Sequence, residues 1–204
     1  MAETLQQAQD DEPLSTADED NGEGPEAELD PLLAERRAAA LAQVRKFGDP
    51  VLKAKARPVS RFDDALRAEV ARMGGLMNDA MGIGLAATQL GVLHRVLVYR
   101  VQQQAPIAAL VNPVLEWIGS EEESAEEGCL SLPTVQVDVE RPVHVRVRAQ
   151  DEQGSPIVVE ASGLEARVIQ HEIDHLDGVL ILDRTSREQR KQAIKALREA
   201  QQTP

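Results

Sequence analysis

Residues 162–178 read SGLEARVIQHEIDHLDG and contain an H-E-x-x-H pattern at residues 171–175. If this stretch is helical, His171 and His175 lie one turn apart on the same face, with about 5–6 Å between their Cβ atoms. Their imidazole nitrogens are then close enough to share one metal ion. Glu172 follows the first histidine and can reach a water molecule on that ion without being a ligand. The pattern therefore predicts a catalytic metal site on a helix.

The ends and faces of this predicted helix support the same interpretation. Ser162 and Glu165 form a capping-box pattern, S-x-x-E, and Gly178 provides a C-terminal stop. A single histidine on an apolar face is usually a hydrogen-bonded core residue, but two with a glutamate between them are costly to bury without partners. We therefore expect a buried helix that carries a metal site into the core. The side chains predicted on its apolar face are Leu164, Val168, His171 and His175.

A catalytic metal site needs a third protein ligand and an open position. Cys129 is the best candidate, because it lies between Gly128 and a strand-like Leu-Ser-Leu segment, in a turn where the backbone could approach an ion. A lone cysteine is more often a small buried hydrophobic residue. From its position alone, both interpretations of Cys129 stay open.

The composition is that of a single domain with an aliphatic core. The chain has 204 residues, of which 42% are hydrophobic and 2% aromatic. Its one cysteine excludes an internal disulfide. No apolar run reaches the roughly 18 residues of a membrane span, and the acidic N-terminus has the wrong charge for a signal or transit peptide. We therefore expect a soluble, cytoplasmic protein that does not bind membranes.

The net charge of −13 belongs mostly to one end of the chain. Residues 1–31 contain 11 acidic residues and no Lys or Arg, so the rest of the chain has a net charge of −2. Such a polar, charged segment cannot bury enough apolar surface to offset its ordering entropy. We predict a disordered acidic tail over residues 1–31 and a single catalytic metallohydrolase domain over residues 32–204. The acidity gives no support for DNA binding.

The hydrophobic patterns predict more strands than long helices. The predicted helices are 31–46, 61–81, 162–178 and 186–202, the predicted strands are 95–101, 107–112, 114–118, 143–148, 157–160 and 179–182, and residues 121–127 are predicted to be an acidic loop. Most of these strands are hairpin neighbours. The predicted fold class is α+β, with mostly antiparallel sheets packed around the central metal-binding helix and with a C-terminal helix.

Three motifs occur in a fixed order along the chain: GIGLAATQ at residues 82–89, EGCLS at residues 127–131 and HEIDH at residues 171–175. In these motifs, and in GDPVL at residues 48–52, the chain resembles the peptide deformylases. The resemblance covers roughly residues 44–185, and three motifs in register are strong evidence where one alone is moderate.

The resemblance implies a ferrous ion held by Cys129, His171 and His175, although Zn²⁺, Ni²⁺ or Co²⁺ accept the same ligands. It implies that Glu172 is the general base and then the proton donor. The implied reaction removes the formyl group from N-formylmethionine at the N-terminus of nascent polypeptides and releases formate.

The resemblance also assigns roles beside the metal. The side-chain amide of Gln89 and the backbone N–H of Leu130 would stabilise the oxyanion of the tetrahedral intermediate. The substrate backbone would approach Ile83 and Gly84 closely, because the glycines of the first motif leave room. An aliphatic pocket for the methionine side chain would draw on Ile83, Leu164 and Val168.

The position of one further residue follows from the helix geometry. Asp174 projects about 100° round the helix from each neighbouring residue, so it cannot join the histidines at the metal. We predict that it braces the helix from behind the ligands, with Arg141 as its partner. Residues 132–136, LPTVQ, depart from the usual family sequence beside the substrate cleft, so they leave the peptide contacts open.

The predicted C-terminal helix is basic. Such a run is most often a solvated face, and the sharper hypothesis is docking on the ribosome through rRNA phosphates. The basic side chains are Arg187, Arg190, Lys191, Lys195 and Arg198.

Other functions fit parts of the pattern. A zincin-like metallopeptidase shares H-E-x-x-H, but it would typically take its third ligand from a downstream His or Glu, and no histidine follows His175. A closed structural metal site needs a fourth ligand, and His94 and His144 lack metal spacing. An inactive deformylase-like peptide-binding protein is the third alternative.

Overall fold

The computed structural model describes residues 30–202. In the tail predicted over residues 1–31, residues 1–29 lie outside the described residues. Asp30 caps the first helix, since its side chain accepts a hydrogen bond of 2.8 Å from the backbone N–H of Leu32, and Pro31 begins that helix. Among residues 30–202, no helix is long and apolar enough to cross a membrane.

The predicted α+β class is confirmed. A five-stranded antiparallel sheet has the order β1-β2-β3-β6-β7, and β4 and β5 form a separate hairpin. The strands are β1 Gly84–Ala86, β2 Val96–Tyr99, β3 Ala108–Ile118, β4 Glu122–Cys129, β5 Leu132–Pro142, β6 His144–Gln150 and β7 Pro156–Ser162. The α-helices are α1 Pro31–Gln43, α2 Asp64–Asp79, α3 Gly163–Leu176, α4 Ile181–Arg184 and α5 Arg187–Gln202.

Strand β2 explains how the helices are arranged on the large sheet. All four of its residues are buried, because the strand has a helix on each face. Leu97 and Tyr99 pack in one cluster with α3, whereas Val96 and Val98 pack in another with α1 and α2. Helix α3 is therefore a central, buried helix, as predicted. The β4–β5 hairpin has its own cluster, formed by the inward side chains of β5 with α4 and α5.

Two predicted elements are wrong. Residues 121–127 are not a loop, because Glu122–Cys129 pair with β5 along their whole length. In the predicted strand over residues 179–182, Val179 and Leu180 precede the short helix α4, and Ile181 and Leu182 are its first residues. Leu180, Ile181 and Leu182 are buried as predicted, but they pack against β5 and α5 rather than joining a sheet.

The caps of the central helix are partly as predicted. Gly178 ends the helix with φ +74°, and a Cβ there would lie 2.6 Å from the Lys53 carbonyl oxygen, so no other residue fits easily. The capping box is wrong. The Ser162 hydroxyl bonds to the His144 ring at 2.9 Å, and Glu165 accepts the Tyr99 hydroxyl proton at 2.9 Å, so neither side chain caps the backbone.

Candidate metal centre

Cys129, His171 and His175 meet where the end of β4 faces α3. One ligand atom from each lies within 4.8 Å of the other two, and Cys129 Sγ is 3.2 Å from His175 Nε2. The two imidazole rings are one helical turn apart, with centroids separated by 4.9 Å and planes inclined by 72°. The rings therefore converge on a common point beside the thiol. Three N and S ligands of this kind suit a transition-metal ion with an open position.

The hairpin geometry at Cys129 places its side chain at this point. The β4–β5 register changes between Gly128 and Cys129, where the hairpin tightens into its turn. Ser131 in that turn is fully buried and its carbonyl accepts a hydrogen bond of 2.9 Å from the Phe47 backbone N–H. The turn is thus fixed from outside the hairpin as well as by strand pairing.

Glu127 orients His171. Its carboxylate accepts two hydrogen bonds from Arg141, at 2.6 and 3.0 Å, and one of 2.8 Å from Arg167. Burial raises the pKa of Glu127, but the hydrogen bonds and charges of His171 and Arg141 outweigh it and lower the pKa to about 2. An ionised carboxylate only accepts hydrogen bonds, so the Nδ1 of His171, 2.9 Å away, must be the donor. That leaves Nε2 of His171 free to face the cluster.

Asp174 lies behind the histidines and binds Arg141 at 2.9 Å, as predicted. It also accepts a hydrogen bond of 3.0 Å from Arg184 on α4. Arg141 on β5 therefore bridges two buried carboxylates, Glu127 on β4 and Asp174 on α3. This arrangement ties the hairpin that carries the cysteine to the helix that carries the histidines.

The electrostatics of the cluster favour a cation. Burial raises the pKa of the Cys129 thiol, but the charge of His175 and hydrogen bonds from both histidines hold it well below its usual value. Burial lowers the pKa of His171, but its hydrogen bonds to Cys129 and Glu127 raise it to about 10. The site thus holds a thiolate and stabilises positive charge beside it. A divalent metal ion supplies that charge, so the donor set fits the predicted metal.

Glu172 lies beside the ligands and is buried. Burial raises its pKa, with the histidine charges opposing this. Among residues 30–202, no hydrogen bond reaches its Oε2 atom. The carboxylate packs against Gly84, where a Cβ would lie 2.4 Å from Glu172 Oε1. A Cβ at this position would therefore displace the Glu172 carboxylate, a constraint that the sequence did not reveal.

Gln89 is held with its amide group towards the cluster. Its Oε1 accepts a hydrogen bond of 2.9 Å from the Ala86 backbone N–H, so its Nε2 must point the other way. That Nε2 donates to the Ser131 hydroxyl at 3.2 Å and lies 3.8 Å from Cys129 Sγ. Gln89 is only 2% exposed, which fixes the donor in one orientation.

A cleft of about 730 Å³ opens onto these residues. It contains every site residue predicted from the sequence except His175, which is 1% exposed and lies beneath the others. The apolar residues Ile83 and Leu164 are 44% and 55% exposed, so Leu164 belongs to the cleft wall and not to the buried stripe of α3. The predicted lining residues are Ile83, Gly84, Gln89, Cys129, Leu130, Leu164, Val168, His171 and Glu172.

Some residues around the site were not predicted. Glu127 and Ser131 belong to a recognised motif, but their partners lie far along the chain. Lys46 donates a hydrogen bond of 3.0 Å to the Leu130 carbonyl oxygen. Arg37 and Met81 also line the cleft, from α1 and from the turn after α2. Nothing in the sequence around these three residues signals proximity to the site.

Comparisons with known proteins agree with this geometry. The sequence model of the polypeptide deformylase family matches residues 41–191. A peptide deformylase of Parafrankia sp. is 44% identical over 162 residues, which are 79% of this chain and 88% of the relative. The relative from Acidothermus cellulolyticus is 46% identical with the same coverage.

Solved structures give the same result. The peptide deformylase of Synechococcus elongatus in complex with actinonin is 44% identical, with a TM-score of 0.72 over 75% of this chain and 85% of that chain. The Thermotoga maritima enzyme is 45% identical, with a TM-score of 0.68 over 70% of this chain and 96% of that chain. From motifs, geometry and these relatives together, the chain belongs to the polypeptide deformylase family.

Proposed function

We propose that this peptide deformylase removes the formyl group from N-formylmethionine at the N-terminus of nascent polypeptides, with one metal ion held by Cys129, His171 and His175. We assign the activity to a single catalytic domain over residues 32–204. The observation that carries the proposal is the meeting of three converging ligands with the Glu172 carboxylate at the bottom of one cleft. These are the parts that metal-assisted hydrolysis of an amide requires.

Ferrous iron is the metal we propose, with Zn²⁺, Ni²⁺ and Co²⁺ as ions that the same donors accept. When bound, the ion supplies a Lewis acid that polarises the formyl carbonyl and lowers the pKa of a nearby water molecule. The ligand charges, one thiolate and two neutral imidazoles, leave a divalent site at net +1. Metal analysis of anaerobically purified protein tests the choice, and a bound metal other than iron would contradict it.

Glu172 moves the proton. As general base its carboxylate accepts a proton from the attacking water, and as acid it returns that proton to the departing amine nitrogen, so formate and a free α-amine are released. Burial, which raises its pKa, suits a group that must both accept and donate near neutral pH. Its unpaired buried oxygen among the described residues is the atom we assign to this transfer.

Gln89 and Leu130 stabilise the oxyanion. The Gln89 amide nitrogen is already oriented by Ala86 and Ser131, so little reorganisation accompanies the reaction. The Leu130 backbone N–H is the second donor that we assign. Its peptide segment is held by Lys46, which binds the carbonyl oxygen of the same residue.

The substrate side chain lies against apolar residues. Ile83, Leu164 and Val168 line the cleft and suit an unbranched aliphatic side chain such as methionine. Gly84 presents backbone to the peptide on one side and gives room to Glu172 on the other.

The decisive experiment is formate release from formyl-Met-Ala-Ser by anaerobically purified protein. We expect turnover by the wild type and a fall in kcat of about 10²–10⁴ in Glu172→Ala with the metal retained. Metal-loaded wild-type protein that released no formate would contradict the proposal. Cleavage of internal peptide bonds instead would favour the zincin-like metallopeptidase, and peptide binding without turnover would favour the inactive binding protein.

We further propose that the enzyme works in the cytoplasm, where nascent chains emerge, and that α5 docks on the ribosome. Arg187, Lys191 and Arg198 are exposed on this helix, whereas its buried Ala193 and Leu197 pack on the β5 cluster. Deleting the helix would disturb the core, so charge reversal is the cleaner test. We expect Arg187→Glu with Lys191→Glu to reduce salt-sensitive ribosome co-sedimentation, and unchanged co-sedimentation would refute docking.

A further inference from the structure

Helix α1 forms a wall of the substrate cleft that lies largely upstream of the family match. The match begins at residue 41, whereas α1 begins at Pro31. Arg37 and Leu41, both on α1, line the same cleft as Cys129 and Glu172. The helix therefore brings to the active-site cleft a side chain that the matched region does not contain.

The position of α1 is fixed by contacts on its other side. Arg36 pairs with Asp79 of α2, and Gln43 accepts a hydrogen bond of 2.9 Å from Arg72 of α2. Ala40 is 2% exposed within the cluster that α2 forms with the large sheet. These contacts hold the cleft-facing residues of α1 in place.

Arg37 lines the cleft on the same face of α1 as Leu41. It is four residues before Leu41, so their side chains lie on one face of the helix, one turn apart. Leu41 packs in the same cluster as Leu130, which is next to the metal ligand Cys129. Leu41 thus packs beside the Leu130 segment, and Arg37 lines the same cleft one helical turn nearer the start of α1.

Arg37 is an unpaired cation within the part of the chain that the structure describes. Arg37 is exposed, and among residues 30–202 it takes part in no hydrogen bond or ion pair. The other cationic side chains of the cleft are committed, since Lys46 binds the Leu130 carbonyl oxygen and Arg167 binds Glu127. A guanidinium with no partner among residues 30–202, at a cleft proposed to bind peptides, is suited to a carboxylate on the peptide.

We propose that Arg37 is a specificity-determining residue that favours formylated peptides with an acidic side chain among the residues after the methionine. The cleft volume of about 730 Å³ lies in the range that buries a ligand larger than one amino acid, so residues beyond the methionine reach its walls. This inference rests on the proposed deformylase function. It concerns the choice among substrates and not the reaction.

The test compares kcat/KM for C-terminally amidated peptides, in which the only carboxylate is the introduced side chain. The set is formyl-Met-Ala-Ser, formyl-Met-Asp-Ser, formyl-Met-Ala-Asp and their lysine counterparts. In Arg37→Gln we expect the ratio of acidic to neutral substrate to fall about two- to fivefold at low salt, the range of a solvent-exposed ion pair. At about 0.5 M salt the difference between wild type and variant should shrink.

Arg36→Gln is the matched control, because it removes the same charge at the adjacent residue, which pairs with α2 and does not line the cleft. We expect it to keep the wild-type ratio. A wild-type ratio in Arg37→Gln, or an equal loss in Arg36→Gln, would overturn the proposal. Thermal melts show whether either variant loosens α1.

A binding measurement separates this inference from the proposed function. Calorimetry of the same peptides on the Glu172→Gln background, with and without Arg37→Gln, gives the ratio of Kd values without turnover. If no formate is released but Arg37→Gln still changes the ratio of Kd values for acidic and neutral peptides, only the deformylase function is contradicted. If formate is released but Arg37→Gln leaves that ratio unchanged, only the specificity proposal is contradicted.

Discussion

Gly84 has no side chain, and this leaves room for the carboxylate of Glu172, the proposed general base. A Cβ at this position would lie 2.4 Å from Glu172 Oε1 and 2.9 Å from its carboxyl carbon. We expect Gly84→Ala to displace the carboxylate and to lower kcat by about 100-fold, the effect of a misplacement of roughly 1 Å. Metal content should stay at the wild-type level because no ligand is altered. Formate-release kinetics with metal analysis measure both quantities.

Gly75→Ala is the matched control for this change. Gly75 is inside α2 and a Cβ there would meet nothing within 4 Å. The alanine should leave kcat unchanged and stabilise the helix by about 0.5–1 kcal/mol. If Gly84→Ala kept the wild-type kcat, Glu172 would not depend on the space that Gly84 provides.

Glu127 is the residue on which the orientation of His171 depends. Glu127→Gln removes the negative charge that accepts hydrogen bonds from Arg141, Arg167 and the His171 ring. We expect metal affinity to fall about 10–100-fold. Because Arg141 is buried and keeps only Asp174 as its anionic partner, we also expect a loss of about 3 kcal/mol in the free energy of unfolding.

Competition with a metal chelator measures the affinity, and urea unfolding measures the stability. Glu126→Gln, the same change on the adjacent and exposed residue of β4, should affect neither. Equal affinities in the two variants would show that the charge of Glu127 does not support the ligand.

At the scale of elements, the carboxylate of Asp183 holds the start of α4. Asp183 pairs with Lys53 and accepts a hydrogen bond of 2.9 Å from the Leu180 backbone N–H. Burial raises the pKa of Asp183, but the hydrogen bonds from Lys53 and Leu180 outweigh it, and the pKa is lowered overall. A lowered pKa in the folded state gives stability that is present above the unfolded value of 3.8 and is lost as the pH falls through the folded value.

We therefore expect the stability difference between wild type and Asp183→Asn to be at most about 1 kcal/mol near neutral pH, since the partner of Asp183, Lys53, is about half exposed. The difference should shrink towards zero as the pH falls below about 4. Urea unfolding at several pH values measures it. Asp64→Asn is the control, because the Asp64 side chain is 99% exposed. A difference that grew on acidification would have the wrong sign for this account.

Local sequence predicted α3 well and the β4–β5 hairpin poorly. The histidine spacing and Gly178 describe a helix without reference to the rest of the chain. Strand β4, in contrast, contains Glu122, Glu123, Glu126 and Glu127, which disfavour strands, and its extended form comes from pairing with β5. Tertiary pairing of this kind leaves no local pattern in the strand itself.

The residues of the candidate site also fall into those that local sequence could assign and those that depend on distant partners. Residues within the three motifs could be assigned because each motif is contiguous, and Asp174 could be given a bracing role because the helix geometry excluded it from the metal. Its pairing with Arg141 was a hypothesis that the structure confirms. The role of Glu127 depends on Arg167 and His171, which are about forty residues away in sequence. Arg37 reaches the cleft only through the docking of α1 on α2.

For the whole molecule, the metal should act as a stabilising ligand. An ion that binds the folded chain and not the unfolded one raises stability by about 2.7 kcal/mol when its concentration is 100 times Kd. We expect a chelator to lower the Tm of the wild type, and re-addition of Fe²⁺ under anaerobic conditions to restore it. A Cys129→Ala variant should show little change with chelator. An unchanged wild-type Tm after confirmed metal loss would contradict this.

The separation of the ligands along the chain gives the ion a topological role. Cys129 ends β4 and His171 lies on α3, with β5, β6 and β7 between them. An ion held by both residues would close this segment into a ring in the folded chain, and because the unfolded chain does not hold the ion, the link would be lost on unfolding. The metal is then a removable cross-link. Exchange of one ion for another would require a ligand to leave it. Contacts that join the hairpin to α3 should therefore slow metal exchange.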